Sequence, residues 1–108
     1  MLNYQPTFES ASKTALAYLS EMKVALQKSA LAANEFALGN GYAIQAVNVD
    51  QAIYTGKPVF STSHHLVQHY GKNSVAIHEK HRLPTTLKDM TGKTTLRIRY
   101  RNGSAQFA

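Results

Sequence analysis

Apolar residues recur at helical spacing along the first third of the chain. Between residues 7 and 38 they follow one another at intervals of three and four, and together they form one stripe: Phe8, Ala11, Ala15, Tyr18, Met22 and Ala25, widened by Leu19, Leu26 and Ala33. This spacing predicts an amphipathic helix over residues 7–38. Thr7 is a candidate N-cap, and Gly39 stands where a C-terminal cap is expected. The alanine-rich stripe is suited to packing against the domain's own sheet or against a second copy of the chain.

After Gly41 the pattern changes to short strands separated by turn residues. Residues 42–52 fit either a strand or a short helical extension, whereas residues 53–61, 65–70, 74–80 and 93–100 favour strands. Gly71-Lys72-Asn73 predicts a hairpin connection, and Asn102-Gly103 predicts a turn into a fifth strand that ends near Phe107. Residues 83–92 fit no regular pattern. Five short strands joined mostly by tight turns predict a small closed antiparallel barrel, and with the helix the fold class is α+β.

The strand from Lys93 to Arg101, KTTLRIRYR, has the clearest alternation in the chain. Its period of two predicts that Leu96, Ile98 and Tyr100 point into the core and that three arginines point to solvent: Arg97, Arg99 and Arg101. Three like charges on one strand add nothing to folding, but each guanidinium can bind a phosphate through two hydrogen bonds. A solvated face that discourages aggregation is the structural alternative.

The net charge of +6 lies entirely outside the helical third. Residues 1–38 are balanced, whereas residues 39–108 hold nine lysines and arginines against three carboxylates. This asymmetry favours a polyanionic partner for the second part of the chain. The candidate phosphate contacts are six cations: Arg97, Arg99, Arg101, Lys72, Lys80 and Arg82.

Five histidines fall between residues 64 and 81: His64, His65, His69, His78 and His81. A hairpin could bring His69 near His78, and two close histidines could act as general acid and base in RNA cleavage. The favoured interpretation is that the histidines are neutral hydrogen-bonding residues at the surface or half-buried. The spacing does not match a zinc finger, and no local catalytic motif accompanies the histidines, so we predict no catalytic residue, no metal and no cofactor. Among the aromatic residues, Tyr54 and Tyr70 are the better candidates for exposed stacking rings, but the favoured interpretation is that they complete a small core.

Several classes of protein are disfavoured by what the sequence lacks. There is no cysteine, which fits a reducing compartment. No apolar run approaches the roughly 20 residues that a membrane helix needs. The first residues, MLNYQPTFES, lack the pattern of a secretory signal. We therefore expect a cytoplasmic protein without membrane contact.

An ordered set of aromatic, glycine and polar residues runs from Tyr54 to Phe107. It comprises Tyr54 and Gly56; His64, His65, Val67 and Gln68; Gly71; His78; Gly92; and Ile98, Tyr100, Arg101 and Gly103. This set resembles the KfrB domain family. The resemblance implies a small SH3-like barrel and a role in plasmids, conjugation or other mobile genetic elements, without established catalysis. It also marks the patch around Gln68 and His78 as a candidate polar contact surface.

Together these observations divide the chain into an N-terminal helix with its cap (1–41), a connecting segment (42–52) and a KfrB-like barrel (53–108). The leading hypothesis is a non-enzymatic nucleic-acid-binding accessory protein, with DNA as the favoured partner. The alternative is an adaptor that binds another mobile-element protein through the helix or a barrel groove, with a homodimer through helix 7–38 as one form. A histidine-dependent ribonuclease is a third hypothesis.

Overall fold

A computed structural model describes residues 8–85 and 94–107, with the side chains of residues 8–16 left out of the description. Within these residues, one helix is followed by seven strands and a 3₁₀ turn. The elements are α1 (Phe8–Gly39), β1 (Ala43–Gln45), β2 (Gln51–Gly56), β3 (Pro58–Ser61), β4 (His65–His69), β5 (Ser74–Glu79), the 3₁₀ turn (Lys80–Arg82), β6 (Leu96–Arg101) and β7 (Ser104–Phe107).

The predicted helix is confirmed, but its C-terminal cap lies two residues later than expected. The amide of Tyr42 bonds the carbonyl of Ala37 at 2.9 Å, and the amide of Gly41 bonds that of Leu38 at 3.1 Å. This is a Schellman motif, and its left-handed residue is Gly41, with φ of 77°. Gly39 is still helical. The N-cap assigned to Thr7 lies outside the described residues.

The strands form two sheets. The four-stranded sheet has the order β1-β5-β4-β3, and the three-stranded sheet has the order β2-β6-β7. β1 pairs with β5 in parallel, and the other neighbours are antiparallel. The ambiguous segment 42–52 therefore contains a strand of its own and the first residues of β2. Both predicted hairpin turns are present, the second with Asn102 at φ 52° and Gly103 at φ 88°, as a type I′ turn requires.

The α+β class is confirmed, but the single closed five-stranded antiparallel barrel is wrong. The sequence predicts one strand over residues 53–61, and this segment divides between the two sheets. Gly56 is opposite Leu96 in the three-stranded sheet, whereas Pro58 is opposite Gln68 in the other. At the crossing, a Cβ atom on Gly56 would overlap the carbonyl oxygen of His69. The chain can therefore pass from sheet to sheet here because this residue has no side chain.

The molecule has three layers, with the four-stranded sheet in the middle. The C-terminal part of α1 packs on one face of this sheet, where Ala33 and Ala37 meet Val67 and Val75. The three-stranded sheet packs on the other face around a second cluster: Leu66, Leu83, Leu96, Ile98, Tyr100 and Ala105. β4 is consequently buried on both sides. The outer face of the three-stranded sheet is left open to solvent.

The described part of α1 before residue 25 extends beyond the sheets. Tyr18 is 61% exposed and Leu19 is 60% exposed, whereas Ala33 and Ala37 are fully buried. The predicted stripe is thus divided between a packed part and an exposed part. No helix in the described ranges combines the length and the apolar character that a membrane span requires.

Candidate nucleic-acid interface

The three arginines of β6 stand on the open face of the three-stranded sheet. Leu96, Ile98 and Tyr100 are 3%, 0% and 1% exposed. Arg97 and Arg101 are exposed and Arg99 is partly buried. The predicted alternation is therefore confirmed. Because side chains on one strand face repeat every two residues, the arginines follow one another at roughly 7 Å.

Neighbouring strands surround these arginines with neutral residues. Thr55 is opposite Arg97, Ile53 is opposite Arg99 and Gln51 is opposite Arg101 on β2. On β7, Gln106 is opposite Arg99 and Ser104 is opposite Arg101. We call the eight residues of this surface the arginine face: Gln51, Ile53, Thr55, Arg97, Arg99, Arg101, Ser104 and Gln106.

Acidic residues are scarce at the arginine face. A shallow depression of about 790 Å³ includes Ile53, Arg99 and Arg101, and Asp50 is the one carboxylate among the described residues that line it. Over residues 8–85 and 94–107, the recorded ion pair joins Arg82 to Glu79, and none of the β6 arginines takes part. Their charge is consequently available to a solute anion.

Arg82, a predicted phosphate contact, is instead bound within the protein. Its Nε donates to Glu79 Oε1 at 2.8 Å and its Nη1 donates to the Gly103 carbonyl at 2.9 Å. The hydrogen bond from Arg82 lowers the pKa of Glu79. This pair supports the turn between β6 and β7, so Arg82 helps to position the end of the arginine face.

The two predicted lysine contacts lie elsewhere. Lys80 is only 8% exposed and lines a cleft beside α1. Lys72 is exposed in the turn between β4 and β5, at the opposite end of that hairpin from the 3₁₀ turn. The structure therefore brings together Arg97, Arg99 and Arg101, and it separates them from Lys72 and Lys80.

Gln68 and His78 are not available as surface contacts, because both are 0% exposed. The Nε2 atom of Gln68 lies 3.3, 3.1 and 3.0 Å from the carbonyl oxygens of Tyr54, Gly56 and Leu96. Carbonyls only accept hydrogen bonds, so the amide nitrogen must face them. The remaining amide oxygen accepts from His78 Nε2 at 2.7 Å.

This arrangement determines the protonation of His78. With Nε2 as donor, Nδ1 of the neutral ring accepts from the Tyr100 hydroxyl at 2.5 Å. Burial lowers the pKa of His78 to about 4 and raises the pKa of Tyr100, so both groups stay neutral. The network connects β4 and β5 of one sheet to β2 and β6 of the other. Its residues join the two sheets inside the protein. The expectation of a polar contact surface around Gln68 and His78 is therefore wrong.

Two less favoured interpretations of the ring groups are wrong, and the favoured core position of Tyr54 is confirmed. His69 and His78 lie on opposite faces of the four-stranded sheet, since His69 is opposite Val75 and His78 is opposite Leu66. They cannot act together as acid and base. Tyr54 is 6% exposed, and its hydroxyl accepts from the Asn48 amide at 2.8 Å, so it is not a stacking platform. In the described ranges, no three potential metal-binding side chains cluster.

Sequence reasoning missed a second polar cluster, between α1 and the β3–β4 turn. Ser29, 5% exposed, has its Oγ atom 2.7 Å from His65 Nδ1 and 2.6 Å from Thr62 Oγ1, and it accepts from the His64 amide at 2.8 Å. Burial lowers the pKa of His65, which favours the neutral ring as acceptor of the Ser29 proton. The available signal was the position of Ser29, four residues after Ala25 in the apolar stripe.

Comparison with known proteins identifies the second half of the chain. The family model for the KfrB Domain matches residues 53–108, a range that contains the whole arginine face except Gln51. No curated protein and no solved structure gives a match. α1 and β1 lie outside the matched range.

Proposed function

The chain belongs to the KfrB domain family, and from this premise we propose that it is a non-enzymatic nucleic-acid-binding accessory protein of a plasmid or related mobile element. The arginine face is the binding surface, with Arg97, Arg99 and Arg101 as the phosphate contacts. The observation that carries the proposal is that three guanidiniums share one uncovered sheet face without an ion pair among the described residues.

The chemistry of the arginine face suits a phosphate backbone. Each guanidinium can give two parallel hydrogen bonds to a phosphate, and the neighbouring hydroxyl and amide side chains can donate as well. The face carries no aromatic residue among its eight members, so base stacking does not contribute. We therefore expect binding that depends weakly on sequence and strongly on salt.

The first test is fluorescence anisotropy with labelled duplex DNA across a salt series. Three phosphate contacts give a slope of log K against log salt concentration of about −2.7. The variant with Arg97, Arg99 and Arg101 changed to alanine should lose most of its affinity. Since these side chains lie on the solvent side of β6, thermal unfolding should confirm that the variant remains folded.

The matched control removes the same charge elsewhere. Lys23, Lys57 and Lys72 are exposed and lie outside the arginine face, so their triple alanine variant should bind almost as well as the parent protein. Equal losses of DNA affinity in the two variants would show that binding depends on net charge alone and not on the arginine face. Absence of binding at low salt by the parent protein would remove the proposal.

A second candidate, a protein-interaction role, is favoured by the exposed part of α1. Tyr18 and Leu19 are more than half exposed on the same stripe that is packed further along. Residues 1–38 carry balanced charge, so two copies would not repel each other through this segment. We propose a second copy of the chain as the occupant, which makes the protein a homodimer through α1.

Sedimentation equilibrium tests this second candidate. Changing Tyr18 and Leu19 to serine should convert a dimer to a monomer, whereas Leu38→Ser, at a residue 67% exposed near the end of the helix, should not. An apolar interface should persist at salt concentrations that release nucleic acid. A monomeric parent protein at high concentration would contradict this role.

A further inference from the structure

A cleft separates α1 from the turn between β3 and β4, on the other side of the molecule's middle layer from the arginine face. Its volume is about 680 Å³. We call it the α1 cleft. Its lining comes from α1 (Lys28 and Ser29 with two alanines), from Ser61 at the end of β3 and the turn residues 62–64, and from Lys80 in the 3₁₀ turn.

The buried polar cluster gives this cleft a fixed geometry. Ser29 holds the turn against α1 through the His64 amide and the Thr62 hydroxyl. The turn is closed by a hydrogen bond of 2.8 Å from the Thr62 amide to the His65 carbonyl. Because these bonds connect the helix to the turn, the groups on the cleft walls are held in place before any ligand arrives.

The lining carries one cation and further hydrogen-bonding groups. Lys28 supplies positive charge, Ser63 supplies a hydroxyl and His64 an imidazole. None of the described residues that line the cleft is acidic. Within residues 8–85 and 94–107, the side chains of Lys28, Ser63 and His64 make no hydrogen bond or ion pair.

The helix itself also leaves Lys28 without an acidic neighbour. Side chains three and four positions away lie on the same helix face, and at Lys28 these are Val24, Ala25, Leu31 and Ala32. The positive charge of Lys28 is therefore not neutralised from its own helix face. The hydroxyl of Ser63 and the imidazole of His64 lie on the other wall of the cleft.

We propose that the α1 cleft binds a phosphate monoester. A monoester is close to a dianion at neutral pH and offers three acceptor oxygens, one for each of the Lys28 ammonium, the Ser63 hydroxyl and the His64 imidazole, whereas a carboxylate offers two. Lysine acts as a point charge on phosphate and does not require planar geometry. The cleft shares no residue with the arginine face, so the inference is independent of the proposed function.

The test is a titration of the full chain with inorganic phosphate at constant ionic strength, monitored by two-dimensional ¹H–¹⁵N NMR. Saturable shifts confined to residues 28–29 and 61–64 are expected, and sodium chloride should not reproduce them. Lys28→Ala should weaken binding at least about tenfold, the loss of one charge-assisted hydrogen bond. Lys23→Ala, on the same helix but outside the cleft, should leave the affinity unchanged.

Two further ligands identify the source of the phosphate. Tighter binding of a nucleoside 5′-monophosphate than of the corresponding nucleoside would indicate that the ligand is a free metabolite. A 5′-phosphorylated oligonucleotide compared with the unphosphorylated strand, in the triple arginine-to-alanine variant, tests a nucleic-acid end. Shifts that stay linear in phosphate, that chloride reproduces, or that survive Lys28→Ala would each overturn the proposal.

Discussion

Gln68 and His78 demonstrate how a polar residue can stabilise an interior when every hydrogen-bonding group has a partner. The two N–H groups of Gln68 are shared among three carbonyls of β2 and β6 that face it, and its oxygen is the acceptor for His78. A buried polar network of this kind is favourable only when complete. The loss of one member leaves several desolvated groups without partners.

Gln68→Ala should therefore reduce the free energy of unfolding by about 2–4 kcal/mol, because it leaves carbonyls and the His78 N–H buried and unsatisfied. Urea denaturation measures the change. Gln106→Ala is the control, since Gln106 is exposed on β7 and its removal should alter stability by less than about 0.5 kcal/mol. Similar changes in the free energy of unfolding for both glutamine variants would contradict the role of Gln68 in joining the two sheets.

The pKa of His78 makes stability depend on pH in a defined window. Burial lowers this pKa to about 4 from 6.5, so between these values the unfolded chain binds a proton that the folded protein does not. The stabilisation is fully present above pH 6.5 and is lost as the pH falls toward 4. The loss amounts to about 3 kcal/mol.

His78→Gln tests this dependence, because glutamine can preserve both hydrogen bonds but cannot be protonated. Unfolding by urea at several pH values should give a shallower slope for the variant between pH 6.5 and 4. Burial also lowers the pKa of His65, which acts in the same direction in both proteins and cancels in the difference. Parallel curves would show that His78 is not the responsible group.

At the scale of elements, the junctions depend on backbone conformations that few residues adopt. α1 ends because Gly41 takes a left-handed conformation, and the chain changes sheets where Gly56 lies against the carbonyl of His69. The turn between β6 and β7 places Asn102 and Gly103 at positive φ. Each junction sets the direction of the next element.

Gly39 and Gly41 provide a matched pair for testing the end of α1. A Cβ atom added to either glycine would have no atom within 4 Å, so backbone conformation alone separates them. Gly41→Ala should destabilise the protein by about 1 kcal/mol because of its positive φ. Gly39→Ala should stabilise it by about 0.5–1 kcal/mol, since alanine is favoured within a helix. Thermal unfolding that gave both changes the same sign would contradict this assignment.

At the scale of the molecule, two hydrogen-bonded networks connect the three layers, which are α1, the four-stranded sheet and the three-stranded sheet. Gln68, His78 and Tyr100 join the sheets, and Ser29, Thr62 and His65 join α1 to the middle sheet. The apolar contacts of α1 with the sheet combine the small side chains of Ala33 and Ala37 with the ring of Phe36, which stacks on Phe60 of β3. Ser29 adds a polar connection between the helix and the turn between β3 and β4.

Ser29→Ala should loosen α1 from the middle sheet while the sheets themselves stay paired. Hydrogen exchange followed by mass spectrometry should become faster in residues 29–39 and 61–65 and should remain slow in β6. Ser20→Ala, an exposed serine on the same helix, should leave the exchange pattern unchanged. Faster exchange throughout the protein would indicate general destabilisation instead of release of the helix.

Sequence reasoning succeeded where the signal was local. The alternation in β6 and the Asn102-Gly103 turn each depend on neighbouring residues, and both are present. The long-range arrangement was not predictable in the same way. The parallel pairing of β1 with β5 joins residues 43–45 to 74–76, and no short pattern specifies it.

The candidate site was predicted in part for the same reason. A charged strand face can be read from one strand, whereas the burial of Gln68 depends on carbonyls from β2 and β6. Glutamine and histidine are mostly surface residues, so their interior position runs against the usual rule. Its charge alone led to the prediction that Lys72 acts together with the arginines, whereas the order of the strands places it in the turn between β4 and β5, away from the arginine face.

β6 also has a consequence for protein engineering. Its odd-numbered residues face solvent and its even-numbered residues build the core, so the two sets can be edited as separate variables. Replacing Arg97, Arg99 and Arg101 with glutamate would reverse the charge of the surface while leaving Leu96, Ile98 and Tyr100 untouched. The outward-facing side chains of β6 could then be chosen to bind a different kind of ligand, while its inward-facing side chains continue to specify the fold.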